Sequence, residues 1–102
     1  MTYAKLIRDR IPEIIEQAGK KPVTRVISEE EMEKALKEKL KEEVEEFIES
    51  DQIEEIADIL EVLEAIAMHR GIDRALIERL KADKKEERGG FEKRLMLEKV
   101  ED

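Results

Sequence analysis

Residues 40–63 read LKEEVEEFIESDQIEEIADILEVL, with an acidic cluster on each side of a short break at residues 50–52. On both sides of the break, apolar residues recur at intervals of three and four, which is the spacing of an amphipathic helix. The stretch therefore predicts two consecutive helices joined by a tight reversal, which is an antiparallel helical hairpin. We expect the first helix to end near Glu49 and the second to begin near Ile53.

This hairpin is expected to bring four carboxylates together. Positions three apart lie about 60° from each other around a helix, so Glu43 and Glu46 share one face, as do Glu55 and Asp58. In an antiparallel hairpin, residues equidistant from the centre of the connection lie at the same height. Glu46 is therefore expected opposite Glu55, and Glu43 opposite Asp58.

Four converging carboxylates repel one another, and a cation relieves that repulsion. Hard oxygen ligands suit Mg²⁺, with Mn²⁺ or Ca²⁺ as alternatives. Asp58 lies inside an apolar stretch, where an unpaired charge costs free energy. A second interpretation stays open on spacing alone, because Glu-x-x-Glu is frequent on any acidic helix and often forms only a solvated face.

Capping residues set the expected bounds of the remaining helices. Ser28 with Glu31 has the pattern of a capping box, and Asp9 and Asp73 are candidate N-caps. The predicted helices span residues 10–18, residue 28 to about 49, residues 53–70, and residue 73 to about 88. The last of them is expected to bury its apolar residues, Ala75, Leu76 and Leu80.

Two short segments predict a small β element. Residues 23–27 are rich in β-branched side chains and are bounded by Pro22 and Ser28, which favours a strand. Residues 94–100 are a candidate second strand that pairs with the first, with helix as the alternative there. The expected fold class is therefore mainly α, a helical hairpin with two further helices and a small two-stranded β element, in a single domain of residues 1–102.

Composition narrows the classes of partner. The chain has 102 residues, 47% of them charged, a formal net charge of -8 and no cysteine. An acidic surface disfavours binding to a nucleic acid polymer or to an anionic membrane. The lack of cysteine and of an apolar signal core in residues 1–10 favours a cytoplasmic protein. Because the helix at residues 53–70 is apolar on nearly all sides, we expect a homodimer or higher homo-oligomer packed on it.

The acidic motifs resemble a known family. Glu-Glu-x-x-Glu at residues 42–46, followed by Glu-x-x-Asp at 55–58, is similar to the MazG-like all-α nucleoside triphosphate pyrophosphohydrolases, a group that includes phosphoribosyl-ATP pyrophosphohydrolase. The opening KLIRDRIPEII at 5–15 and RGGF at 88–91 resemble one small branch, thought to clear noncanonical nucleotides. The resemblance implies Mg²⁺-dependent hydrolysis of a nucleoside triphosphate to the monophosphate and pyrophosphate. The gap between the acidic motifs is shorter here than in the better-known members, which leaves no room there for a substrate-covering insertion.

The same resemblance implies roles for individual residues. Glu43, Glu46, Glu55 and Asp58 are the expected metal ligands. Glu42, one position before the first ligand, is a candidate to accept a proton from the attacking water. The motifs near both ends of the chain favour Lys5, Arg8 and Arg88 as the cations that bind the phosphates. Lys84 is a further candidate because it lies four residues before Arg88, on the same helical face.

Several alternatives remain open from the sequence. Phe91 either stacks on a base or covers the core. His69 lies near the end of the helix at residues 53–70 and is expected to cap its C-terminus, not to bind a metal ion. The scaffold also suits hydrolysis of phosphoribosyl-ATP. A third candidate is a noncatalytic helical oligomerisation module whose acidic residues keep it soluble.

Overall fold

The computed structural model describes residues 4–102 and is mainly α-helical. The described chain forms four helices: α1 (Ile11–Gln17), α2 (Glu29–Ser50), α3 (Ile53–His69) and α4 (Arg74–Arg88). It divides into a first compact unit that ends at Gly71 and a second that runs from Ile72 to Asp102. The first unit contains α1, α2 and α3, and the second contains α4.

Helix α1 begins with Pro12 in its first turn, where a missing N–H costs nothing. The prediction that Asp9 caps this helix is wrong. Arg10 is the N-cap and makes no capping hydrogen bond through its side chain. A backbone turn takes over that role, since the N–H of Ile11 donates to the carbonyl of Arg8 at 3.1 Å.

Helix α2 begins where its capping sequence predicts. The hydroxyl of Ser28 accepts a hydrogen bond from the N–H of Glu31 at 3.1 Å, which satisfies one of the free amides of the first turn. The carboxylate of Glu31 lies on Arg25, at 2.8 Å from Nη2. The helix ends at Ser50, one residue beyond the expected end.

A two-residue connection reverses the chain between α2 and α3. Asp51 adopts the left-handed conformation, with φ 55°, and its N–H donates to the carbonyl of Phe47 at 2.8 Å. Arg70, at the end of α3, binds Glu33, near the start of α2. The antiparallel hairpin is therefore confirmed, and its buried apolar residues are Leu36, Val62 and Ala67.

His69 contributes to the same end of the hairpin. His69 lies in the last turn of α3, and its Nε2 is 3.8 Å from Oε2 of Glu33 on α2.

The small β element is not confirmed, since residues 4–102 contain no strand. Residues 23–27 run without regular structure, and Val26 is 99% exposed. Residues 94–100 are likewise neither strand nor helix. A segment of five residues needs a hydrogen-bonded neighbour to be stable as a strand, and in the first unit no described segment pairs with it.

Helix α4 begins and ends as predicted. The carboxylate of Asp73 accepts from the N–H of Ala75 at 3.0 Å, and Gly89, with φ 82°, follows the last helical residue. The expected burial of its apolar residues is wrong, because Leu76 and Leu80 are exposed. The second unit has this one helix among its described residues, so these side chains have no second element of that unit to pack on. None of the described helices combines the length and the apolar character that a membrane span requires.

Candidate metal centre

The hairpin gathers five carboxylates from α2 and α3. One carboxylate oxygen from each of Glu42, Glu43 and Glu46 lies within 4.8 Å of the others. The same holds for Glu43, Glu55 and Asp58. Glu43 belongs to both groups and so connects the acidic residues of the two helices. The four residues that the register predicts to converge do lie together, and their role as metal ligands stays a prediction.

Two oxygens at the centre of this cluster have no hydrogen-bond partner. Glu43 is 6% exposed, and its Oε2 is buried and unpaired within the described structure. The same is true of Oε2 of Glu55, on the facing helix. Buried carboxylate oxygens without donors are unfavourable. A hard divalent cation is the kind of partner that such a set of oxygens accepts, so the residues fit a Mg²⁺ or Mn²⁺ site.

The protonation of the cluster reflects this crowding. Burial raises the pKa of the Glu46 carboxyl above its usual value, and the charge of Glu43 raises it further. Burial likewise raises the pKa of Glu55, with added repulsion from Glu46 and Asp58. Without a cation, Glu46 and Glu55 therefore tend to hold protons that a bound metal ion would replace.

Three basic side chains border the cluster. Nη2 of Arg8 lies 2.7 Å from Oδ1 of Asp58, and Nζ of Lys5 lies 3.2 Å from Oε1 of Glu42. These two predicted phosphate-binding residues are thus placed beside the carboxylates, on the segment before α1. Both also line a cavity of about 210 Å³ whose other walls include Glu43 and Asp58.

Lys39 is the third of these basic residues, and the sequence interpretation missed it. Its Nζ lies 3.1 Å from Oε1 of Glu43 and 3.3 Å from Oε2 of Glu42. Burial lowers the pKa of Lys39, but the bonds to Glu43 and Glu42 outweigh it and raise the pKa overall. The available signal was its position three and four residues before these glutamates, which places all three on one helical face.

Glu42 is held in the ionised form. Burial opposes its charge, but hydrogen bonds and attraction from Lys5 and Lys39 prevail, so its pKa lies below the usual value. An ionised carboxylate is what a proton acceptor requires, although a lowered pKa makes it a weaker base. Its proposed role as the catalytic base stays a prediction.

The other two predicted phosphate-binding residues lie in the second unit. Lys84 and Arg88 are four residues apart on α4 and line an open cavity formed by residues of that unit. Phe91 lines the same cavity and is 97% exposed. The alternative in which Phe91 covers a core is therefore not observed in the described structure.

Comparison with known proteins adds one relative. The chain is 50% identical over 48 residues to a protein of Mycolicibacterium smegmatis that is described as uncharacterized. The matched segment covers 47% of this chain and 49% of that protein, so the match spans about half the length of the relative. No family model and no solved structure matches the chain.

Proposed function

We propose that this chain is a Mg²⁺-dependent nucleoside triphosphate pyrophosphohydrolase of the MazG-like type, acting on noncanonical nucleotides in the cytoplasm. The observation that carries the proposal is the pair of buried, unpartnered carboxylate oxygens, on Glu43 and Glu55, inside a cluster drawn from two facing helices. The resemblance of residues 5–15, 42–46, 55–58 and 88–91 to that family supports the same activity.

In this proposal the metal ligands are Glu43, Glu46, Glu55 and Asp58, and Mn²⁺ is an acceptable substitute. When bound, Mg²⁺ neutralises phosphate charge and makes a water molecule more acidic. Water attacks the α-phosphorus, the bond from that phosphorus to the bridging oxygen of the β-phosphate breaks, and pyrophosphate leaves. The products are the nucleoside monophosphate and pyrophosphate.

The protein side chains have distinct tasks in this reaction. Glu42 accepts the proton of the attacking water, while Lys5 and Lys39 keep it ionised beforehand. Arg8 lies on Asp58 and lines the cavity beside the cluster, so its guanidinium would be a donor to a phosphate bound there, for which its planar pair of donors is well suited.

We further propose that the chain functions as a homodimer or higher homo-oligomer. Apart from the residues that face α2, helix α3 carries a second apolar stripe whose spacing of three and four places it on one side of the helix. Its members are exposed in the single chain: Ile53, Ile56, Leu60 and Leu63. A helix that is apolar on two faces packs on two partners, and a second copy of α3 offers a matching stripe.

Incubation with a panel of nucleoside triphosphates and Mg²⁺ tests the activity. The wild type is expected to release pyrophosphate, not orthophosphate, from at least one of them, and EDTA should abolish the release. Glu55→Gln should lower the rate by at least about a hundredfold. Glu55 is one of the four proposed metal ligands, and a neutral amide binds a hard cation more weakly than a carboxylate does. Glu54→Gln changes the adjacent, exposed residue in the same way and serves as the matched control.

The panel also separates the alternatives. Including phosphoribosyl-ATP identifies an enzyme of the same scaffold with that substrate. A noncatalytic oligomerisation module predicts no pyrophosphate from any compound and no Mg²⁺ binding, while the apolar stripe of α3 still drives self-association. That combination of results would overturn the proposed activity.

A further inference from the structure

One face of α4 is lined with basic side chains. Lys81, Lys84, Lys85 and Arg88 are spaced at three, four and seven residues, so they share one side of the helix. They line a cavity of about 890 Å³ together with the Gly89–Gly90 turn and Phe91. This volume lies in the range of small-molecule sites.

Nearby carboxylates leave most of the positive charge on this face unbalanced. Lys81 and Lys85 are four residues apart, as are Lys84 and Arg88, and like charges at that spacing destabilise a helix. Lys81 is 3.8 Å from Glu78. Among the described residues, no carboxylate lies within ion-pair distance of the other three. Glu92 also lines the cavity, which leaves the lining with a clear positive excess.

An aromatic ring completes the same surface. Gly89 has φ 82°, which turns the chain away from the helix axis, and the N–H of Arg94 donates to the carbonyl of Phe91 at 3.1 Å. These two features place Phe91 at the edge of the basic face with its ring 97% exposed. An exposed ring next to basic side chains suits stacking on a nucleobase whose phosphates lie on those side chains.

We propose that the second unit contains a nucleotide-binding site, in which the basic face of α4 binds the phosphates and Phe91 stacks on the base. From Lys81 to Arg88 the face extends about 10 Å along the helix, at a rise of about 1.5 Å per residue. That length accommodates a chain of several phosphates. This inference deepens the proposed function and rests on it for the triphosphate as the substrate class, but it concerns binding by residues of one unit and needs no metal.

Isothermal titration calorimetry on the whole chain in EDTA tests this site with two probes. One is α,β-methylene-ATP, which resists cleavage at the α–β bond, and the other is inorganic tripolyphosphate. The double variant Lys84→Gln/Arg88→Gln should lose at least about tenfold in affinity for both, because charged hydrogen bonds to phosphate are removed. Phe91→Leu should lose about fivefold or more for the nucleotide only, because stacking on the base is lost while an apolar side chain remains.

Matched controls come from the same unit. Arg79→Gln removes a cation from the opposite side of α4, and Leu97→Ala changes another exposed apolar residue. Both are expected to bind like the wild type. Equal affinity of all variants for α,β-methylene-ATP, no measurable binding by the wild type, or an equal loss in Arg79→Gln would overturn the site.

The outcome is distinguishable from failure of the proposed activity. If no triphosphate is hydrolysed but the calorimetry shows the expected losses, the second unit binds nucleotides without the proposed reaction. If pyrophosphate is released and the variants bind normally, the reaction stands and the site on α4 is wrong.

Discussion

The substitution Glu43→Gln separates a metal ligand from a structural ion-pair partner, because the two roles predict opposite changes in stability. Glu43 is almost fully buried, and its Oε2 has no partner. A buried acceptor without a donor costs about 1–3 kcal/mol, and a glutamine amide removes that cost by donating to a neighbouring carboxylate. The change also removes one of several repelling charges.

The free energy that Glu43→Gln loses at Oε1 is smaller than the free energy that it gains at Oε2. Oε1 of Glu43 lies 3.1 Å from Lys39, but Lys39 keeps a second partner, Glu42, at 3.3 Å. The glutamine carbonyl oxygen still accepts from Lys39, so a charged hydrogen bond is weakened and not lost, which should cost about 1 kcal/mol. In EDTA we therefore expect the free energy of unfolding of Glu43→Gln to exceed that of the wild type by about 1 kcal/mol.

Urea denaturation in EDTA and in Mg²⁺ measures both effects. At a Mg²⁺ concentration about a hundredfold above the dissociation constant, the wild type should gain about 2.7 kcal/mol, and Glu43→Gln should gain little of it. Glu45→Gln, an exposed residue of the same helix, is the control and should gain as much as the wild type. If Glu43→Gln is less stable than the wild type in EDTA, or gains as much from Mg²⁺, Glu43 only pairs with Lys39.

Three further predictions concern the rest of the first unit. Leu60→Lys places a charge in the apolar stripe of α3 and should shift the protein to the monomer in analytical ultracentrifugation. Glu33→Gln should make the free energy of unfolding fall less steeply as the pH is lowered. The hydrogen bond from Arg70 lowers the pKa of Glu33 below its usual 4.5, so its contribution is present above that pH and is lost as the pH falls through the lowered value. Urea denaturation between pH 7 and pH 3 measures this difference. Ser28→Ala removes the cap of α2 and should cost about 1 kcal/mol in the free energy of unfolding, measured by thermal denaturation.

Each of these has a matched control and a contradicting result. Glu61→Lys adds a lysine beside the stripe and should leave self-association unchanged, while a wild type that is monomeric at every concentration contradicts the oligomer. Glu38→Gln, exposed on α2, should keep the acid dependence of the wild type, and a difference for Glu33→Gln that is constant with pH contradicts the pairing. Ser28→Asp keeps an acceptor and should keep the stability.

The hairpin was predictable because local signals agree with one another. Ser28 and Asp73 cap the helices that the apolar periodicity defines, and the short break at residues 50–52 fixes the register. The register alone brought Glu43 and Asp58 together. Such features depend on residues that are close in sequence, and these are the ones a single sequence reveals.

Other features depend on contacts that sequence spacing does not encode. The pairing of Arg8 with Asp58 joins residues 50 positions apart. The strand at residues 23–27 was inferred from composition, but a strand also needs a hydrogen-bonded neighbour, which β-branched residues do not supply. Asp9 was predicted to cap α1 because aspartate is a common N-cap. However, Pro12 has no N–H that needs a partner, and the N–H of Ile11 already donates to the carbonyl of Arg8.

The short connection at Asp51 and Gln52 limits where the chain tolerates insertions and deletions. Because it reverses the chain in two residues, one residue inserted there would turn α3 by about 100° relative to α2, so Glu55 and Asp58 would no longer face Glu43. Extra residues in the segment between Gly19 and Ser28 would leave the carboxylates in place. Indels among natural variants should therefore be scarce at the reversal and tolerated before α2.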